Sequence, residues 1–199
     1  MNPMAAENLH ELVTRSLTGD QTAYEALYAQ CSSLIYRLCY GLLMNRQDAE
    51  DVMQEAFVYA FRNLGRFDPA QASFKTWLYT IALSRCRNVY RRKRFPWLDL
   101  ASLLPIELAA PRADAPEASL ARRDLRASVE SALVGLSAPL REAVILRYGH
   151  GLTYREIAEV VGCPQKTAES RVRLAHERLR VLLQSEAPAL LDDLLRMEA

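Results

Sequence analysis

"LTYREIAEVVGCPQKTAESRVRLAHERLR", residues 152–180, is written as a short helix, a tight turn and a longer helix. Thr153 is placed to cap the first helix, and Glu156 three residues on completes a capping box. Leu152 and Ile157 fit the hydrophobic staple that fixes how the chain enters that helix. Gly162 stands where a helix ends in the left-handed conformation. Pro164 suits the first turn of the next helix, where a missing N–H costs nothing. In the longer helix Ala168, Val172, Ala175, Leu179 and Leu182 recur at steps of four, three, four and three, which defines a buried face. Lys166, Ser170, Arg173 and Glu177 lie opposite, flanked by Glu169 and Arg180. A helix of this kind presents its exposed N-terminal residues to base edges in a major groove. Arginine reads guanine bidentately and serine reads less specifically.

Working outward, the patterning stays helical nearly everywhere and no useful stretch alternates with period two. The expected fold is all-α, with helices over about 7–17, 21–44, 47–64, 74–93, 122–135, 138–148, 153–161 and 165–184. Thr18-Gly19-Asp20 breaks the first two, and residues 65–73, "GRFDPAQAS", form a loop. Pro96, Pro105, Pro111 and Pro116 interrupt residues 96–121, which no continuous helix crosses. The expectation is two small helical domains joined by a Pro-rich linker, the second holding the helix-turn-helix. The boundaries are 1–95, linker 96–121, 122–185 and a tail 186–199. The linker carries Trp97, Leu98, Leu103 and Ile106, too apolar for a free tether, so it is expected to lie against something. Extended, it spans roughly 85 Å at ~3.3 Å per residue. Leu190, Leu191, Leu194 and Leu195 give the tail an amphipathic helix for docking on the domain or on a partner.

The net charge of +1 hides segregation along the chain. Residues 47–55 hold Asp48, Glu50, Asp51 and Glu55 with no base, while residues 85–94 hold Arg85, Arg87, Arg91, Arg92, Lys93 and Arg94 with no acid. Such separation points to at least one anionic and one basic partner. Among 25 basic residues only Lys75, Lys93 and Lys166 are lysine, a bias that either suits phosphate contact or reflects a GC-rich genome. Cys31, Cys39, Cys86 and Cys163 form no metal or redox motif and are expected as reduced thiols. No signal peptide is legible and no apolar run reaches membrane-spanning length, so a soluble, cytoplasmic protein is expected.

"SFKTWLYTIALSRCRNVYRRKRF", residues 73–95, combines aromatics with that basic end. Wound at about 100° per residue, Phe74, Trp77, Leu78 and Ile81 share one face and Tyr79, Leu83 and Tyr90 the other. The helix is either buried on both sides, or buried on one and meeting a partner on the other. Four consecutive bases at 91–94 suggest a phosphate-binding surface. Aromatics beside a cationic groove also hold unstacked single strands.

These motifs resemble a bacterial extracytoplasmic-function (ECF) sigma factor, the compact two-domain class of RNA polymerase sigma subunits. "DAEDVMQEAFVYAFRNL" (48–64), then "FKTWLYTIA" (74–82) and the basic helix end, resemble region 2; residues 136–172 resemble region 4. The resemblance implies a promoter-recognising initiation factor, with no catalytic residues, metal or cofactor of its own. Its implied partners are core RNA polymerase, through the clamp helices of the largest subunit and the flap, and promoter DNA. DNA would be duplex at the −35 element and single-stranded at the −10 element. An anti-sigma factor is a common further partner in the family. Asp48, Asp51, Gln54 and Glu55 would bind core polymerase. Arg66, Phe67, Lys75, Trp77, Tyr79, Ser84, Arg87, Arg91, Arg92 and Arg94 would bind and melt the −10 element, with a flipped base held in a shaped pocket. Tyr154, Lys166, Thr167, Glu169, Ser170, Arg171 and Arg173 would contact the −35 element.

The chain departs from the family pattern in the second helix. Lys166 stands for a usual glycine, Ala168 for valine and Glu169 for a base, and Leu174 and His176 stand where two arginines are usual. Weaker or differently specific −35 binding is expected, with Arg171 and Arg173 carrying more of it. Ser84 replaces a common asparagine, which removes an amide readout near the flipped base. A LuxR-type autonomous regulator also fits "LTYREIAEVVG", but the N-terminal half shows no receiver-like or sensor pattern. An enzyme has little to work with: His10, His150 and His176 sit in no nucleophile, metal or phosphate motif. His150, between two glycines, is expected in solvent, and His176 near DNA.

Overall fold

A computed structural model describes residues 8–94 and 127–186, and every regular element among them is helical. The expected linker and the tail beyond Glu186 lie outside the described residues. The N-terminal unit consists of α1 (Leu9–Leu17), α2 (Gln21–Leu43), α3 (Arg46–Arg62), a single 3-10 turn (Leu64–Arg66) and α4 (Phe74–Arg94). The C-terminal unit contains a helical stretch over 127–134 (α5), α6 (Ala138–Val144) running into a π-helical turn (Ile145–Gly149), α7 (Tyr154–Val161) and α8 (Gln165–Glu186).

Local chemistry sets most of these boundaries. Asn8, Asp20 and Asn45 cap α1, α2 and α3 through side-chain oxygens that accept backbone N–H groups. Asp20 also accepts from Arg15; hydrogen bonds from Thr22 and then Arg15 hold its carboxyl down to about 2. α2 ends at Met44, a non-glycine residue at φ 51°. The Thr153–Glu156 capping box is formed in both directions, and Gly162 closes α7 at φ 73°. The buried face of α8 is Ala168, Val172, Ala175, Leu179 and Leu183. Leu183 therefore replaces the expected Leu182, because a 3.6-residue period drifts against alternating steps of three and four over about four turns.

α2 and α3 pack on one face of α4 through Leu27, Cys31, Ile35, Leu38, Val52, Ala56, Phe57, Leu78 and Ala82. The other face of α4 packs against α7, and the π turn packs against α2. The two units form one continuous apolar cluster from Leu12 to Leu183. Of the two arrangements open for the aromatic helix, the structure shows burial on both sides. A π turn shifts side chains relative to a regular helix. Here it sets Ile145 against Gly41, whose Cβ position lies 3.4 Å from the Ile145 side chain.

Gly162→Ala should destabilise the chain by about 1–2 kcal/mol, the cost of a β-carbon in left-handed backbone. Open space around Gly162 means that no clash adds to it. Urea denaturation of the two forms measures the difference.

Candidate nucleic-acid interface

On α8, Lys166, Glu169, Ser170 and Arg173 are exposed, while Thr167 and Arg171 are half-buried. Arg173 is not a free cation: its guanidinium donates to Glu177 one turn on, at 2.9 Å. That exposed i,i+4 pair is worth only about 0.2–0.5 kcal/mol, which a guanine contact exceeds. Tyr154 is half-buried beneath the Arg147 guanidinium, 4.9 Å from the ring centroid. Arg147 also donates to Leu152 O at 2.9 Å and so braces the chain as it enters α7. Sequence reading passed over Arg147, although a base shortly before a capping box is a legible signal.

His176 corrects one expectation. It is 8% exposed, with its ring 5.6 Å from Tyr148, and belongs to the core of the C-terminal unit rather than to its outer face. Its place in the helix follows Ala168, Val172 and Ala175, so periodicity already put it inside.

The loop before α4 is held by its own polar groups. Asp68 accepts from Ala70 N and from Gln71 Nε2, both at 2.9 Å, and these bonds hold its carboxyl below the usual range. Ser73 Oγ accepts from Thr76 N at 3.1 Å and starts α4, a cap that the sequence reading did not single out. Phe67, Phe74 and Trp77 form a three-ring cluster with centroids 5.4–5.9 Å apart. Phe74 is buried, Phe67 and Trp77 are half-buried, and Arg66, Lys75 and Ser84 are exposed around them. Trp77 thus packs the domain with part of its ring and shows the rest to solvent.

Charges that are far apart in sequence meet in space. Lys93 donates to Asp48, and Arg85 lies 4.0 Å from Glu55 and 4.8 Å above the Tyr59 ring. The acidic face of α3 and the basic end of α4 therefore partly neutralise each other, and Asp48 and Glu55 each have a cation nearby. Asp51 and Gln54 are exposed. Arg91, Arg92 and Lys93 are exposed, and Arg94 ends the helix.

Two of the sequence-predicted DNA contacts face elsewhere. Tyr79 is 4% exposed and lies against the C-terminal unit, its hydroxyl 3.1 Å from His150 Nδ1. Arg87 makes a bidentate pair with Glu142, 2.9 and 2.6 Å, and also donates to Val161 O at 3.4 Å. Tyr79, expected on a DNA-facing surface, is buried because α7 and the turn after α6 cover that side of α4. His150, expected in solvent, is half-buried for the same reason.

Around these contacts Arg141, 9% exposed, joins the units. It donates to Leu133 O, Val134 O and Leu136 O of its own unit, and to Tyr90 OH at 2.8 Å and Leu42 O at 3.3 Å across the seam. Carbonyls at helix ends lack partners within the helix, and a guanidinium supplies five donors. Tyr40 OH donates to Glu130 at 2.9 Å, a further link. Among the described residues no cluster of three or more His, Cys, Asp or Glu is placed to hold a metal. Cys31, Cys39 and Cys86 are buried, and burial raises the Cys31 thiol.

Residues 27–95 match the family described as Sigma-70 region 2, and residues 126–179 match Sigma-70, region 4. The RNA polymerase sigma-H factor of Pseudomonas aeruginosa is 34% identical over 187 residues, covering 91% of this chain and 96% of the relative. This chain belongs to the ECF sigma factors.

The ECF RNA polymerase sigma factor SigW of Bacillus subtilis is 31% identical, with 83% of this chain and 91% of SigW covered. Among solved structures, CnrH in complex with the cytosolic domain of CnrY superposes with TM-score 0.68 at 27% identity, over 92% of this chain and 100% of that one. The sigma factor RpoE in complex with the anti-sigma factor NepR from Bartonella quintana gives TM-score 0.64 at 25% identity, over 81% and 96%. The region 2 match occupies the N-terminal half and removes the LuxR-type alternative. No helix among the described residues is long and apolar enough to cross a membrane.

Burial, and then the charge of Arg37 on α2, hold the His150 imidazole down to about 4 from 6.5. Tyr79 on α4 faces it, with Cys31 and Glu156 in reach of Tyr79. His150 is neutral in this arrangement and regains its ordinary value when exposed. The contribution of this contact is therefore fully present above about pH 6.5 and is lost as pH falls towards about 4. The stability difference between the wild type and His150→Gln should shrink over that interval in melts run from pH 7 to 4.5; a constant difference would remove His150 as the titrating group.

Proposed function

We propose that this ECF sigma factor directs core RNA polymerase to its promoters, with α3 docking on the polymerase, the α4 region opening the −10 element and α8 reading the −35 element. The observation that carries the reading is the pair of region 2 and region 4 matches in that order, the second containing a fully capped helix-turn-helix. Asp51 and Gln54, with Asp48 and Glu55 once their cations are displaced, supply the contact to the clamp helices of the largest subunit. Region 4 also meets the flap. The Phe67–Phe74–Trp77 cluster gives an aromatic floor beside Arg66 and Lys75 on which an unstacked base can rest. Base–aromatic stacking of about 1–3 kcal/mol offsets part of the cost of strand opening.

The protein lends binding free energy, and the polymerase performs the chemistry, in the cytoplasm where the DNA is. The solved relatives held by CnrY and NepR support an anti-sigma factor as a further partner. In-vitro transcription by core polymerase on a genomic fragment library, with and without this protein, tests the reading. Protein-dependent 5′ ends that share paired upstream motifs are expected; an identical set of starts without the protein refutes it.

Two substitutions assign roles. Arg173→Ala should weaken transcription from −35-dependent promoters and relax the preference at one base pair, by about 1–3 kcal/mol. An unchanged base preference excludes Arg173 from base reading. Replacing Arg91 and Arg92 together by alanine should weaken open complexes at every promoter. It should also lower the slope of log affinity against log salt by about 0.7–0.9 for each phosphate no longer neutralised. An unaltered slope excludes both from phosphate contact.

A further inference from the structure

A large apolar side chain stands in the middle of the α8 face assigned to DNA. Leu174 is 43% exposed. The buried stripe Ala168, Val172, Ala175, Leu179 and Leu183 centres opposite Ser170 at about 100° per residue, so Ser170 points straight out and Leu174 lies about 40° from it. Ser170, Arg173, Leu174 and Glu177 are all exposed. They stand at i, i+3, i+4 and i+7, the spacing with which a recognition helix meets successive base edges.

Helical side chains lean back towards the N-terminus, so Leu174 covers the surface beside Ser170. Serine is short, and the leucine stands above it. The Arg173 guanidinium is drawn the other way, towards Glu177 at 2.9 Å. The central outward positions are therefore a serine, which discriminates bases weakly, and a leucine that forms no hydrogen bond.

A single exposed leucine on an ordinary surface needs no explanation. On a face that enters a major groove, its counterpart is restricted. Every base presents hydrogen-bonding groups there, and only thymine adds an apolar one, its C5-methyl. Leucine pressed on the other edges would strip water from donors and acceptors without replacing it, which costs free energy. Against thymine it covers a methyl group. Leu174 stands where an arginine is usual in the family, so this chain exchanges a cation for an apolar contact.

We propose that Leu174 determines specificity at one base pair of the −35 element, by packing on the C5-methyl of a thymine next to the site met by Arg173. The inference rests on the promoter-reading function proposed above and adds a thymine to it. Val181 is 62% exposed in nearly the same direction, but it lies about 10 Å further along α8, past Glu177 and outside the reading set.

The test removes the methyl from the DNA and the leucine from the protein, singly and together. Promoters come from the transcription library, and each thymine of the −35 element is replaced in turn by deoxyuridine, which lacks only the C5-methyl. Binding of core polymerase carrying this protein is measured by competition between the thymine and deoxyuridine duplexes. One position should weaken wild-type binding about fourfold, which is about 0.8 kcal/mol for a buried methyl-sized group. At that position Leu174→Ala should bind the two duplexes equally, and Leu174→Met, which keeps an apolar reach, should retain most of the preference. Val181→Ala should behave as the wild type. The exposed site and the good helix propensity of alanine leave the fold of Leu174→Ala intact, which circular dichroism checks.

Absence of any position at which methyl removal weakens wild-type binding overturns the proposal. So does a loss of equal size in the wild type and Leu174→Ala, which assigns the effect to DNA shape. Identical promoters and affinities in the wild type and Leu174→Ala also overturn it, and leave Leu174 and Val181 as a stripe for a protein partner. A library with no protein-dependent starts refutes the sigma function and this inference with it. Protein-dependent starts without a Leu174-dependent methyl effect refute this inference alone.

Discussion

A helix that is apolar on both faces must be covered on both. α4 is such a helix: Phe74, Leu78 and Ile81 lie on one side, Tyr79 and Leu83 on the other, and all are less than a tenth exposed. At roughly 25 cal/mol per Å2, an uncovered second face would forfeit a large part of the burial term. α2 and α3 cover one side, and α7 covers the other. The packing of two separately written units into one apolar cluster follows from that demand.

Polar groups decide how the second face is covered. Tyr79 and Tyr90 carry hydroxyls into the seam, and Arg87 carries a charge, so the covering surface must answer each one. His150, Arg141 and Glu142 do so. The Arg87–Glu142 pair, with the carboxylate buried and the guanidinium partly in solvent, adds little net stability, because desolvation opposes the Coulomb gain. Its effect here is on register: a one-turn slip of the C-terminal unit along α4 would strand Arg87 and Glu142 together.

Electrostatics along the chain and in space tell different stories. Residues 47–55 are acidic and 85–94 basic, a pattern that points to two partners of opposite charge. The fold sets these runs side by side, with Lys93 on Asp48 and Arg85 near Glu55. Exposed pairs of this kind are weak, worth about 0–1 kcal/mol, and yield readily to a stronger partner. Each surface therefore stays available while the free chain is spared large single-sign fields.

Helices and their ends were legible from the sequence because their causes are local. Thr153, Glu156 and Gly162 act within one turn of where they stand, and the α8 stripe repeats with a fixed period. The family was legible too, since both of its motifs lie in continuous stretches, and so was the exposure of Lys166, Ser170 and Arg173. What the sequence left open was the destination of a two-faced helix. Periodicity sorted Tyr79 and Tyr90 onto a second face without saying whether DNA or protein would meet it. The tertiary structure decided for protein, bringing Glu142 to Arg87 across 55 positions and His150 to Tyr79 across 71. Such pairings depend on the packing of whole helices, and no local rule of spacing or capping carries that information.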